Sequence, residues 1–130
     1  MPLNFYFRPR AFELNGKLYE WLGVLRFKRA LMRLVRVNPE NSTANGYVLG
    51  GRSPEHLRAF VKHTLRSELI HLAGLAVSAL CLCLGAWSGR AILIAAVTIF
   101  AANFHCFLLQ RYNRIRILRV LERATGLAVP

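Results

Sequence analysis

Two short clusters hold most of the residue types that could do chemistry in this chain. In the first, Glu68 and His71 are three residues apart, so on a helix they share a face. A carboxylate beside an imidazole can fix its tautomer and raise its basicity, as a general base requires. The second is Gln110-Arg111-Tyr112-Asn113-Arg114, with Asn103 seven residues before it. Arg111 and Arg114 can pair with Glu68, or hold an anionic head group or the phosphates of an acyl carrier. The Asn103 amide can donate to a developing oxyanion, or hydrogen-bond across two helices. Arg66 stands just before the first cluster. A Glu–Arg pair at an interface also serves simply to lock helices together, and Gln110 to Arg114 can be a snorkelling flank.

The elements that position these residues follow from where apolar sequence runs. Leu69 to Trp87 is 19 residues without a formal charge if His71 is neutral, and Ala91 to Leu109 is 19 more. About 20 apolar residues span a hydrocarbon core of ~30 Å, so each run suffices for one crossing. Only Ser88-Gly89-Arg90 separates them, which imposes a tight antiparallel hairpin. The expected fold is therefore an all-α membrane protein, a two-helix transmembrane hairpin with a basic amphipathic N-terminal helix on the cytoplasmic side. If the turn centres on Gly89, residues whose numbers sum to about 178 lie at one depth. Arg66, Glu68, His71, Asn103, Gln110, Arg111, Asn113 and Arg114 then gather at one end of the hairpin.

Charge sets the expected orientation. Twelve Lys and Arg precede the first span, five follow the second, and Arg90 alone lies in the turn. Cationic flanks stay in the cytoplasm, which places both termini there. Met1 to Phe12 lacks the apolar core of a secretory signal. The glycosylation acceptor at Asn41-Ser42-Thr43 is a chance match on this topology. A net charge of +12 also permits nucleic-acid binding, but two long uncharged runs have no use in it, so no nucleic-acid partner is expected.

Residues 1–52 read as a basic amphipathic segment and loop, and 53–130 as the helical hairpin with its basic tail. Gly16 to Val37 can place Leu18, Trp21, Leu22, Leu25, Met32 and Val35 on one side, with Phe27 and Leu31 blurring the division. Such a helix lies in the membrane interface or packs on the protein's own cytoplasmic segments. Asn38-Pro39 ends it, and Asn41 to Arg52 reads as a loop. Ser53 is a good N-cap with Pro54 at the first helical position, so the first span should extend from Pro54 to Trp87. Cys81, Cys83 and Cys106 read as buried free thiols, and no His, Glu or Cys spacing supports a metal site. His56 and His63 read as solvated, and His105 falls on a different side from Asn103.

The stretch Arg66-Ser67-Glu68-Leu69-Ile70-His71, with Gln110-Arg111-Tyr112-Asn113-Arg114-x-Arg116 downstream, resembles the glycosyl-4,4'-diaponeurosporenoate acyltransferases of staphyloxanthin-type carotenoid synthesis. Their pattern reads Arg-Ala-Glu-Leu-x-His-Trp where one apolar span begins, then Asn-x-Pro and Val-Gln-Arg-Tyr-Asn-Arg where the next ends. Arg66, Glu68, Leu69, His71, Asn103 and Gln110 through Arg114 match; Leu72 replaces the Trp and His105 the Pro. The aromatic and basic lead-in, Phe5-Tyr6-Phe7 through Phe27-Lys28, is similar too. The resemblance implies transfer of a fatty acyl group onto a sugar hydroxyl of a glycosylated carotenoid or similar glycolipid. Acyl-CoA or acyl-ACP would be the donor substrate, with no bound cofactor. On it, His71 is the base, Glu68 orients the imidazole and Asn103 stabilises the oxyanion. Arg66, Gln110, Arg111, Tyr112, Asn113 and Arg114 would bind substrate, Arg111 and Arg114 through the donor's phosphates. The competing expectation is a non-catalytic accessory subunit or a pigment- or lipid-binding component of a larger membrane complex. A homodimer is compatible with either.

Overall fold

The computed structural model of the chain describes residues 10–13, 15–34, 53–85 and 89–125. Within them the secondary structure is helical: α1 Lys17–Trp21, α2 Val24–Leu34, α3 Pro54–Gly85 and α4 Arg90–Thr125. The expected loop 41–52, the end of the expected first span at 86–87 and the first residue of the expected turn, Ser88, lie outside the described residues.

The long helix α3 begins where its cap dictates. Ser53 Oγ accepts from the His56 backbone N–H at 3.3 Å, satisfying one of the donors a helix start leaves over. Pro54 then occupies the first turn, where its missing N–H costs nothing. α3 and α4 run antiparallel and pack along their lengths. Both are long and apolar enough to cross a membrane. In their most apolar windows only 11% and 17% of residues are buried within the protein, so these are not the hidden helices of a soluble core. Val77, Leu80, Leu84 and Ile94 point outward, each more than half exposed. Lipid is the solvent that suits such a surface, and a helix satisfies its own backbone there. The thiols of Cys81 and Cys83 share this outer surface instead of being buried, a correction to the expected placement.

The N-terminal segment also departs from expectation. In place of one helix from Gly16, the chain breaks at Leu22-Gly23 into α1 and α2. Gly23 adopts φ 78°, a left-handed conformation in which a side chain would be strained. The break turns Tyr19 and Val24 onto α4, where they form a core with Leu108, Leu109, Tyr112 and Ile115. Phe27 and Leu31, which blurred the sequence pattern, pack against this core, while Trp21 is 83% exposed. The segment therefore packs on the protein's own helix, with Phe12 and Trp21 left exposed.

Candidate functional site

The same end of the hairpin collects the buried charges. Arg111, on α4, forks onto Glu13: Nε donates to Oε1 at 2.6 Å and Nη2 to Oε2 at 2.9 Å. Its remaining arm, Nη1, reaches Glu68 Oε1 on α3 at 3.1 Å. Arg114 Nη2 lies 3.0 Å from Glu68 Oε2. One guanidinium thus joins the N-terminal segment, α3 and α4. All four side chains are buried, and an even balance of two carboxylates and two guanidinium groups makes that burial tolerable.

Glu13 accepts two further bonds, from the Tyr19 hydroxyl at 2.7 Å and the Arg10 backbone N–H at 2.8 Å. Burial alone would raise its carboxyl pKa. The hydrogen bonds from Arg111, Arg10 and Tyr19, with the charge of Arg111, outweigh burial and hold it at about 2. Burial and the hydrogen bond to Glu13 push the Tyr19 phenol up. Glu13 has no counterpart among the residues picked out from sequence. Its signal was faint: it is one of six acids in a chain of 18 cations, set in a basic lead-in.

These pairings show where the residues expected at the site are placed. Glu68 is engaged by Arg111 and Arg114, and the imidazole of His71 has a different partner. Arg111 and Arg114 are turned inward onto carboxylates, the pairing with Glu68 being one of the two uses open to them from sequence. Tyr112 is 4% exposed and belongs to packing: its ring sits 5.9 Å from that of Tyr19, and its hydroxyl donates to Glu20 at 3.1 Å. Gly16 admits the Tyr112 ring, since a Cβ there would lie 3.2 Å from it.

His71 meets Asn103. Asn103 Nδ2 donates to the Ile99 carbonyl at 3.0 Å, which orients the amide and turns Oδ1 toward α3. His71 Nδ1 lies 3.2 Å from that oxygen. A carbonyl oxygen only accepts, so the neutral ring donates from Nδ1 and keeps the lone pair on Nε2. The ring's hydrogen-bond partner is thus Asn103 across the hairpin, while Glu68 on its own helix faces the arginines. Of the two uses open to the Asn103 amide, the bond across the helices is the one found. Gly74, one turn beyond His71, makes the approach possible, because a Cβ there would fall 2.6 Å from Asn103 Oδ1. Small residues at helix interfaces in membranes are a known signal, and Gly74 could have been found by it.

Gln110 and Asn113 are buried, at 2% and 8% exposure. Gln110 Oε1 and Asn113 Nδ2 have no hydrogen-bond partner among the described residues. Arg66, by contrast, is exposed on α3, as are His56 and His63. The ring of His105 packs 5.2 Å from that of Phe27 and its Nδ1 is 2.9 Å from the Ala101 carbonyl, which ties it to α2 and to its own helix.

Comparison with curated proteins and with solved structures finds no match. A family model described as glycosyl-4,4'-diaponeurosporenoate acyltransferase matches residues 3–123, which takes in both clusters and all four helices nearly to the end of α4. The chain belongs to the glycosyl-4,4'-diaponeurosporenoate acyltransferase family.

Proposed function

We propose that the protein transfers a fatty acyl group from a thioester of coenzyme A or acyl carrier protein onto a sugar hydroxyl of a glycosylated carotenoid or similar glycolipid. The observation that carries this reading is the His71–Asn103 pair, whose geometry leaves Nε2 available as a base. Nε2 takes the proton of the sugar hydroxyl as its oxygen attacks the thioester carbon. The tetrahedral intermediate collapses with loss of the C–S bond, and the imidazolium returns the proton to the departing thiolate. Gln110 and Asn113 accept from and donate to the sugar's other hydroxyls. The buried ion network serves as a positioning frame that keeps α4 in register with α3.

The reaction sits at the cytoplasmic surface of a bacterial inner membrane, with both termini on that side. Seventeen of 18 cations lie on the flanks of the two spans. His71 is 18 residues from Gly89, or about 27 Å along the helix, which is near the far edge of a ~30 Å hydrocarbon core. A thioester can reach that depth from water while an apolar tail stays in lipid.

The test is mass spectrometry of lipid extracts from cells with the intact gene, a deletion, and His71→Ala that accumulates normally. Loss of one fatty-acyl mass from a glycolipid or pigment in both altered strains supports the reaction and its base. Acylation that survives His71→Ala overturns the base. Three matching extracts would favour the second reading, a non-catalytic subunit clamped by Glu13, Glu68, Arg111 and Arg114, which predicts stoichiometric co-purification with partners.

A further inference from the structure

Arg111 and Arg114 are buried against carboxylates, whereas other cations of the same helix face an open cavity. A cavity of about 230 Å³ opens between α1–α2 and the C-terminal half of α4, outside the His71 site. Arg116 and Arg119 line it, three residues apart on one helix face, together with Glu20, Leu25 and Tyr112. Neither arginine forms an ion pair among the described residues. The Arg116 guanidinium is nevertheless held in place, 5.5 Å over the Tyr112 ring with Nη1 at 3.4 Å from the Tyr112 hydroxyl. Glu20, the one acid in the lining, accepts the hydrogen bond of that hydroxyl.

We propose that this cavity is a phosphate site, in which Arg116 and Arg119 take the phosphate of an anionic ligand. Arginine's planar fork matches phosphate oxygens two at a time, and two forks on one face can grip one group. The volume is below the ~300–1,000 Å³ of pockets that enclose a whole ligand, so it suits a head group with the rest of the molecule outside. Lys28, on α2, adds to the same positive field: burial and the charge of Arg116 both push its ammonium pKa down. Lys28 lies outside the lining, and an anion held by Arg116 would ease the repulsion between that guanidinium and the Lys28 ammonium.

Phosphate on this side of the membrane has two sources, the coenzyme A of an acyl donor and the head group of an anionic phospholipid. The coenzyme A source rests on the acyl-transfer reading; the phosphate site itself does not. The experiment uses the full chain in nanodiscs, as the native sequence, Arg116→Ala/Arg119→Ala, Arg116→Lys/Arg119→Lys, and Lys62→Ala as an exposed basic control on α3. Calorimetry in phosphatidylcholine discs reads coenzyme A binding. Native mass spectrometry reads retention of phosphatidylglycerol against phosphatidylcholine.

A charge-assisted contact contributes roughly tenfold or more in affinity, so the double alanine variant should lose about a hundredfold for one probe. The lysine variant, which keeps charge without the fork, should fall between, and Lys62→Ala should change little. Loss for coenzyme A identifies the donor; loss for phosphatidylglycerol alone identifies the lipid. If neither probe responds, or Lys62→Ala weakens binding as much as the double variant, the site is overturned. Because the readout is binding, this result can fail while the His71→Ala result stands, and the reverse.

Discussion

Glu13→Gln should release the N-terminal segment from the hairpin. Glu13 is 4% exposed and its carboxylate accepts four hydrogen bonds, two of them from Arg111. Glutamine keeps one acceptor and turns an amide donor toward the Arg111 fork. Breaking a buried ion pair by removing one partner costs about 3–5 kcal/mol. Arg111 retains Glu68 through Nη1, so the lower end, roughly 3 kcal/mol, is the appropriate figure. The loss falls on the contact between residues 10–34 and α4, because α3 and α4 keep their own packing and the Arg114–Glu68 pair. At about 1.4 kcal/mol per factor of ten, the open population of α1 and α2 should rise about a hundredfold. Hydrogen exchange in detergent micelles reads this as a matching drop in protection of residues 17–34, with α3 and α4 unchanged. A second change, Arg111→Met, should recover part of the loss, since it removes the excess buried positive charge and leaves Arg114 and Glu68 as a matched pair. Protection of α1 and α2 that does not change in Glu13→Gln would refute the argument that this bridge fastens the segment.

Gly74→Ala should lower acyl transfer by at least about tenfold, since the new Cβ would displace Asn103 Oδ1 and free the His71 ring to turn. Alanine favours a helix over glycine by about 1 kcal/mol, so helicity should hold, and full activity would show that the pair does not orient the base. The wild-type segment should also respond to acid. The Glu13 pKa is depressed from 4.5 to about 2, so its stabilising contribution is whole above pH 4.5 and is lost as pH falls toward 2. Hydrogen exchange of residues 17–34 across that range should show the release, and Glu13→Gln should abolish its pH dependence; an equal response in both proteins would count against Glu13. The proposed topology predicts that, in a cysteine-free background, Ser88→Cys is labelled by an impermeant maleimide in intact cells and Lys62→Cys only after permeabilisation. The opposite pattern would invert the protein in the membrane.

The two long helices and the depth at which polar residues gather were legible in the sequence. Nineteen uncharged residues on either side of a three-residue turn leave little choice of backbone when the solvent is lipid. Depth then follows from counting outward from Gly89, and the structure brings Gly74 close to Asn103 in that register, at a sum of 177. Counting fixes height along a helix pair and says nothing of which side chains turn toward each other at that height. Glu68 and His71 share a face, yet Glu68 binds Arg111 and Arg114 while His71 finds Asn103. That choice depends on the angle at which α3 meets α4 and on the space that Gly74 leaves between them. Glu13 lies further still from what pattern can reach. It meets Arg111 across 98 residues of chain, and only after Gly23 has broken the N-terminal helix and turned Tyr19 and Val24 inward. Local sequence carries the preference of each segment for helix and for lipid. Which buried acid neutralises which buried base is settled by the packing that brings them out of water together.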